Sequence, residues 1–566
     1  MVDFKNEAVK LILEEQESLN REEVISLMEI PPSPEMGDYA FPCFKLARTF
    51  RKAPNLIAEG LVDEMEGNEY FKKIENKGPY INFFINEEML AKSVLENISE
   101  EKENYGSSNM GKDKKVIVEF SSPNIAKPFH IGHIRSTVIG NSLYKIYKFL
   151  GYDTIAINHL GDYGTQFGML IVAYKKWGSS EVIEGDPINE LLKLYVRFNR
   201  EAEDDEKLMD EARYWFKELE EGNEEALKLW KWMRDISLQE FNKVYDLLNI
   251  KFDSYTGESF YSDKMPRVIN ELEEKNLMKE SRGADIVDLE SYDMPPALIK
   301  KSDGSTLYAT RDIAAAIYRK EHYDFHKNIY VVGSQQILHF KQWMKIIELM
   351  GYNWAKDCIH VPFGMVSLES GTMSTRKGRV VFLENVLNNA IDKTLKIIEE
   401  RNPNLENKED VAKQVGIGAV IFQELFNGRI KDYVFSWDKT LSFEGETGPY
   451  VQYTHARASR LLEKGDFSLE NDVDFSLLKE DEELSIIKLL YDFPKIIIEA
   501  MEKNEPSIIT RHVVGIAKAF NKFYNSIPIL SDDEGIKNAR LLLVYGTKTV
   551  IKTGLSLLGI DAPEKM

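Results

Sequence analysis

The sequence predicts an α/β protein whose central part is a doubly wound parallel sheet, with a small α/β module before it and a helical bundle after it. Three observations carry the prediction. Short β-branched runs alternate with helical periods from Val116 to Phe363, the order expected of parallel strands joined by crossover helices. A turn-rich stretch and one strand-like run occupy the segment before residue 112. Beyond about residue 441 almost only helical periodicity remains, as in 484–503 and 537–558.

The elements follow in chain order. Val9, Leu11, Ile12 and Leu13 open an amphipathic helix; Ile30-Pro31-Pro32-Ser33-Pro34 is a turn, and Tyr80 to Asn86 reads as a strand. The polar stretch from Glu100 to Lys115 reads as a linker, giving a first module over 1–112. Val116-Ile117-Val118-Glu119-Phe120 suits a buried parallel strand. A loop runs from Ser121 to Phe129, and a helix is expected from about His130. Further strands are expected at Thr154–Asn158, Ile329–Val332 and His360–Phe363, closing a domain over 113–440. Residues 190–250 are charged, helical and free of strand signal, as an insertion would be. The bundle fills 441–566.

Composition bounds the function. At roughly 150 residues per domain, 566 residues allow about three or four domains. Hydrophobic residues at 43% and charged residues at 29% exclude a largely disordered chain. Apolar runs such as Leu541 to Val544 fall far short of the ~18 residues of a membrane span, and no secretory leader is expected from MVDFKNEAVK. Cys43 and Cys358 alone make neither a disulfide framework nor a zinc site, which points to a reducing, cytoplasmic compartment. The formal net charge of -21 argues against nucleic-acid binding only if taken globally. Residues 201–225 hold 12 acids and 3 bases, whereas 510–566 hold 8 bases and 5 acids, so the charge is uneven.

The strongest chemical signal is Ser121-Ser122-Pro123-Asn124-Ile125-Ala126-Lys127-Pro128-Phe129-His130-Ile131-Gly132-His133. It falls where a strand ends and a helix begins, where free N–H groups and the helix dipole attract phosphate. His130 and His133 are one turn apart and can face one phosphate, while Gly132 lets a nucleotide approach the backbone. A capping loop with two surface histidines is the competing reading of such a pair taken alone. A metal site is disfavoured, because no third ligand stands at a suitable spacing.

That run resembles the signature tetrapeptide region of the class I aminoacyl-tRNA synthetases. The arginyl-tRNA synthetases in particular are resembled by four further stretches: Asn158 to Gly168, Leu307 to Ala314, Gly448 to Arg457 and Leu557 to Met566. The resemblance runs from about residue 30 to the last residue. It implies a Rossmann-like catalytic domain, an N-terminal domain that meets the tRNA elbow, and an all-α anticodon-binding domain. It also implies an arginine–tRNA ligase that forms arginyl-adenylate from ATP only with tRNA bound, then passes arginine to the 3′ end of tRNA(Arg). Magnesium would accompany the nucleotide, and the chain is expected to act as a monomer away from any membrane.

Site residues follow from the same resemblance. A site selecting arginine must hold a planar cation, which carboxylates do best through paired charge-assisted hydrogen bonds. The family pattern sets Glu119 and Asp312 beside the substrate, with Ser121, Asn124, His159, Tyr308 and Gln336 completing the pocket. It gives Gly333 and the Met365-Val366 backbone to the nucleotide. The lysine-rich loop of the class corresponds to Thr372-Met373-Ser374-Thr375-Arg376-Lys377-Gly378, where both lysines are replaced by threonine. Lys127 occupies the position from which some arginyl enzymes compensate, while Met373 and Ser374 keep the loop's nucleotide contacts and Arg376 and Lys377 keep it cationic. For tRNA the resemblance points to Tyr450, Tyr453, Tyr524 and Met566 at the anticodon loop, and to Asn82 and Phe84 at the elbow.

Three other readings compete. Another class I synthetase is disfavoured by Glu119 with Asp312 and by the lack of a cysteine-rich zinc site. A small-molecule nucleotidyltransferase would not need the tyrosine-bearing helical region. A non-catalytic relative should have lost His130, His133, Lys127, Glu119 or Asp312, and all are present.

Overall fold

The structure, a computed structural model, describes residues 1–16, 19–301, 308–368 and 381–566. Strands β1 (Tyr39–Pro42), β2 (Phe71–Lys77) and β3 (Tyr80–Ile85) form an antiparallel sheet in the order β1-β3-β2, so the run anticipated at Tyr80 is its central strand. The second sheet is parallel throughout. It is built of β4 (Lys115–Glu119), β5 (Asp153–Ile157), β9 (Lys327–Gly333) and β10 (Cys358–Phe363), in the order β10-β9-β4-β5. The chain leaves β4 toward β5 and later returns to β9 on the opposite flank. The strand order therefore reverses between β4 and β9, which opens a crevice at their carboxyl ends.

The β-branched run of β4 is explained by its two covered faces. Val116 and Val118 join one hydrophobic core and Ile117 the other, with Val268, Ile313 and Trp343. All three β4 side chains are fully buried, each contributing roughly 1.5–3 kcal/mol. Helix α1 (Ile134–Phe149) lies so close to the strand end that a Cβ on Gly140 would sit 2.1 Å from the Phe120 Cβ. Glycine is required there.

Between β5 and β9 the chain is more elaborate than a single helical insertion over 190–250. Helices run from Thr165 to Trp177 and then through α2 (Pro187–Ala202), α3 (Glu206–Glu220) and α4 (Glu224–Leu247). An antiparallel sheet of β6 (Met278–Ser281), β7 (Ala284–Val287) and β8 (Ala297–Lys300) follows, and then α5 (Tyr308–Tyr323). That small sheet carries no clear sequence signal, since Lys279, Glu280 and Ser281 of β6 are all exposed.

After β10, β11 (Val366–Leu368) pairs in parallel with β12 (Tyr433–Phe435), and α6 (Lys408–Phe426) lies between them in sequence. The helical C-terminal region expected from the sequence is present as α7 (Gly448–Lys464), α8 (Asp481–Glu502), α9 (Ser507–Ser526) and α10 (Glu534–Leu557). The chain end folds back on α7, where Gln452 donates to Asp561 O at 2.7 Å and buried His455 lies 2.9 Å from Pro563 O. Among the described residues no helix is long and apolar enough to cross a membrane.

Candidate active site

The loop from β4 to α1 is held in an unusual backbone. Ser121, Ser122 and Ala126 adopt φ of 69°, 48° and 58°, a region L-residues avoid at a cost on the order of 1 kcal/mol or more each. Neighbours fix the loop. Ser121 N–H donates to Ser136 Oγ at 2.9 Å, Ile125 N–H to Gly161 O at 3.1 Å, and Ala126 N–H to Ser237 Oγ at 3.2 Å. Ser237 belongs to α4, and Tyr245 of the same helix bonds both the Ser121 hydroxyl and the Asn158 amide at 2.9 Å. The insertion therefore forms the back wall of this loop, which its acidity had not suggested.

At the end of the loop Ile131–His133 form one 3-10 turn that leads into α1. The His130 and His133 rings lie 4.0 Å apart. Gly132 N–H donates to His130 Nδ1 at 3.0 Å, and His130 N–H donates to His133 Nδ1 at 3.1 Å. The first bond places the ring proton of His130 on Nε2; His133 Nδ1 also stands 3.2 Å from His130 O, so its tautomer decides which of the two backbone groups it meets. Burial lowers His130 below the usual imidazole value; burial first, then the neighbouring ring, takes His133 down to about 3. Both are neutral N–H donors at pH 7.

The charged residues of the cleft occur in pairs. Glu119, the last residue of β4, is bound by Arg319 of α5 at 2.6 Å, with the arginine fully buried. The Arg319 guanidinium also stands 5.8 Å from the Tyr261 ring, 5.5 Å from Tyr330 and 3.5 Å from His159 Nδ1. Asp312 lies inside α5 and meets His339 Nε2 at 2.5 Å with both side chains about a quarter exposed. Glu258 pairs with Arg311 at 3.0 Å, and burial still raises its carboxyl above the ordinary value.

The other residues singled out for arginine are placed variously. His159 Nδ1 is 3.1 Å from Thr256 O, Ser121 is buried, and Asn124 is exposed beside Gly161. Tyr308 is 65% exposed at the start of α5, and Gln336 is exposed in the 3-10 turn that follows β9. Sequence reasoning missed Arg319, although it lies seven residues after Asp312 and so on the same face of one helix.

For the nucleotide, Gly333 ends β9 beside the crevice and Met365-Val366 lies at the start of β11, with Met365 half exposed. The Lys127 ammonium is 5.8 Å from the Tyr195 ring of α2. Met373, Ser374, Arg376 and Lys377 lie outside the described residues.

Comparison with known proteins decides what this cleft belongs to. Family models described as "tRNA synthetases class I (R), catalytic domain", "DALR anticodon binding domain" and "Arginyl tRNA synthetase N terminal domain" match residues 94–437, 451–566 and 5–85. The arginine–tRNA ligases of Halothermothrix orenii and Clostridioides difficile are 66% and 62% identical over 566 residues, covering each chain completely. The chain belongs to the arginyl-tRNA synthetases. The arginyl-tRNA synthetase of Thermus thermophilus superposes with a TM-score of 0.80 at 25% identity, over 99% of this chain and 100% of that one. The Plasmodium falciparum enzyme shares the fold, with a TM-score of 0.80 at 23% identity and full coverage of both chains. The class I synthetase fold expected from the sequence is thus present, and with it the use of ATP to charge tRNA with arginine.

As a synthetase the chain also needs a tRNA surface. Tyr453 and Tyr524, each 40% exposed, flank the Arg457 guanidinium at 4.9 and 4.7 Å. Tyr450 is half-buried and its hydroxyl accepts from Asn521 at 3.0 Å. Met566 is partly exposed and shares a cavity of about 750 Å³ with Tyr453, Arg460 and Arg401. In the N-terminal sheet Phe84 is half-buried with the Lys73 ammonium 5.3 Å from its ring, but Asn82 is only 3% exposed and offers little to a partner.

Proposed function

We propose that arginine is activated in the crevice between β4 and β9 by in-line attack of its carboxylate on the α-phosphorus of ATP. The observation that carries this is the pair of neutral histidines, 4.0 Å apart, with the Nε2 proton of His130 available beside a helix start. They act as fixed donors to phosphate oxygens whose charge grows as pyrophosphate leaves, not as proton carriers. Lys127 adds a cation from the preceding loop, and Arg376 and Lys377 add theirs from the class-specific segment. Magnesium comes with ATP as part of the substrate. The terminal ribose hydroxyl of tRNA(Arg) then attacks the adenylate carbonyl.

Arginine is selected by Asp312, whose carboxylate meets a displaceable histidine, while Glu119 shapes the pocket with a guanidinium already bound to it. Tyr308, Gln336, Asn124, Ser121 and His159 surround the substrate, and Gly333 with Met365-Val366 lines the nucleotide. Tyr450, Tyr453, Tyr524 and Met566 meet the anticodon loop, and Phe84, with a lesser share for Asn82, meets the elbow. We divide the chain into 1–112, 113–440 and 441–566 and place it in the cytoplasm, consistent with two free, buried cysteines. We take the chain to act as a monomer.

The test is ATP–pyrophosphate exchange with arginine, with and without tRNA(Arg), and with lysine as the control. Exchange is expected only with arginine and tRNA together. Exchange without tRNA removes the tRNA requirement; exchange with lysine removes the proposed selection.

A further inference from the structure

The first turn of α1 contains a second functional side chain, which points into the protein. Arg135 follows His133 by two residues and is fully buried. Its Nη1 donates to Gly364 O at 3.1 Å and to Lys431 O at 2.7 Å, joining the chain just after β10 to the chain just before β12. Behind it, Nε lies 3.6 Å from Glu424 Oε2 of α6, and the guanidinium is 5.4 Å from the Tyr433 ring. The Tyr433 hydroxyl donates to the other Glu424 oxygen. A buried guanidinium is costly unless paired; here Nη1 makes both hydrogen bonds, while Nε and Nη2 make none among the described residues and the charge is met by Glu424 at 3.6 Å.

The segment it grips is the one given to the nucleotide. Gly364 N–H donates to Arg429 O at 2.8 Å and Met365 N–H to the Asp432 carboxylate at 2.6 Å; Met365 O accepts from Tyr433 N–H at 3.1 Å. In a parallel ladder with Val366 opposite Tyr433, that last bond turns the N–H and C=O of Val366 away from β12, where they can meet a base edge. Helix α1 thus holds the phosphate donors at its tip and, one turn inward, the backbone that faces the base.

We propose that Arg135 is a positioning residue for ATP: it fixes the Gly364–Val366 backbone against the base, with Glu424 and Tyr433 fixing its guanidinium. The inference rests on the reading that this backbone meets the nucleotide.

The test is pyrophosphate exchange by the full-length enzyme with tRNA present, reading KM for ATP apart from KM for arginine. Arg135→Lys, whose shorter side chain does not carry a nitrogen to the place of Nη1 between the two carbonyls, is expected to raise KM for ATP at least tenfold with KM for arginine within twofold. An unchanged KM for ATP, or equal rises in both, overturns the proposal. Should Arg135→Lys fail to fold, Tyr433→Phe removes one hydroxyl and is expected to raise KM for ATP about threefold, with KM for arginine unmoved; an unmoved KM for ATP overturns the proposal there. Gly364→Ala separates the two levels, because its Cβ would stand 2.6 Å from both Asp432 Oδ1 and Ile430 O and must displace the segment. A raised KM for ATP in Gly364→Ala beside a normal one in Arg135→Lys overturns the role of Arg135 alone. Normal values in both overturn the nucleotide reading and the inference with it.

Discussion

Arg319 and Arg457 each lie near two tyrosine rings, and their surroundings set them apart. Arg319 lies near Tyr261 and Tyr330, fully buried and paired with Glu119 at the carboxyl end of β4. Arg457 lies between Tyr453 and Tyr524 on the C-terminal helices, half-buried, with both rings exposed and its Nη1 bonded to Asn521. The first arrangement is scaffold: its charges are spent on each other, and it keeps a carboxylate in place. The second offers flat aromatic and cationic surface to solvent, which is what an unstacked base can use. Composition alone does not distinguish them; burial and the carboxylate partner do.

The comparison can be broken at either arginine. Arg319→Met leaves Glu119 buried without its cation and is expected to lower stability by about 3–5 kcal/mol in urea unfolding. Adding Glu119→Gln should restore most of that loss. If the double variant is no more stable than the single one, Glu119 is not what Arg319 neutralises.

A catalytic effect of nearly the same size is expected beside that scaffold. His133→Ala removes one fixed donor and should reduce exchange about 10²–10³-fold, measured at saturating ATP. Its titration gives a separate check. A histidine held down to about 3 when folded, against an ordinary value of 6.5, contributes stability above pH 6.5 that is lost as the pH falls toward 3. The wild type should therefore lose stability on acidification by one proton's worth more than His133→Gln. Identical acid profiles would show the ring is not buried neutral.

The smallest effect is expected at the exposed rings beside Arg457. Tyr453→Ala or Tyr524→Ala should weaken tRNA binding by about 1–3 kcal/mol, read as a raised KM for tRNA with KM for arginine unchanged. Equal loss of arginine affinity would make these rings part of the core.

What the sequence made legible was periodicity and local order. Strand-like runs marked β3, β4, β5, β9 and β10 to within a few residues, most plainly β4, whose β-branched residues are covered on both faces. His130 and His133 were singled out by the resemblance of their surroundings to the class I signature region, since their spacing alone also suits two surface histidines in a capping loop. The short strands β6 to β8 were not, since polar residues on an exposed edge leave no alternation to read. The pairing of Glu119 with Arg319 was also hidden. It joins residues 200 apart, and only packing α5 against β4 brings them to 2.6 Å. Tyr245 was hidden likewise, because its contact with Ser121 depends on how the inserted helices fold back on the loop.

The account turns on Asp312 being the carboxylate that reads the substrate while Glu119 belongs to the scaffold. The most direct measurement is the KM for arginine of Asp312→Asn in tRNA-supported pyrophosphate exchange, with KM for ATP measured alongside. Loss of one charge-assisted hydrogen-bonding partner predicts a rise of roughly 10–100-fold in the first and none in the second. An unchanged KM for arginine would contradict the account and return the selection of arginine to another group.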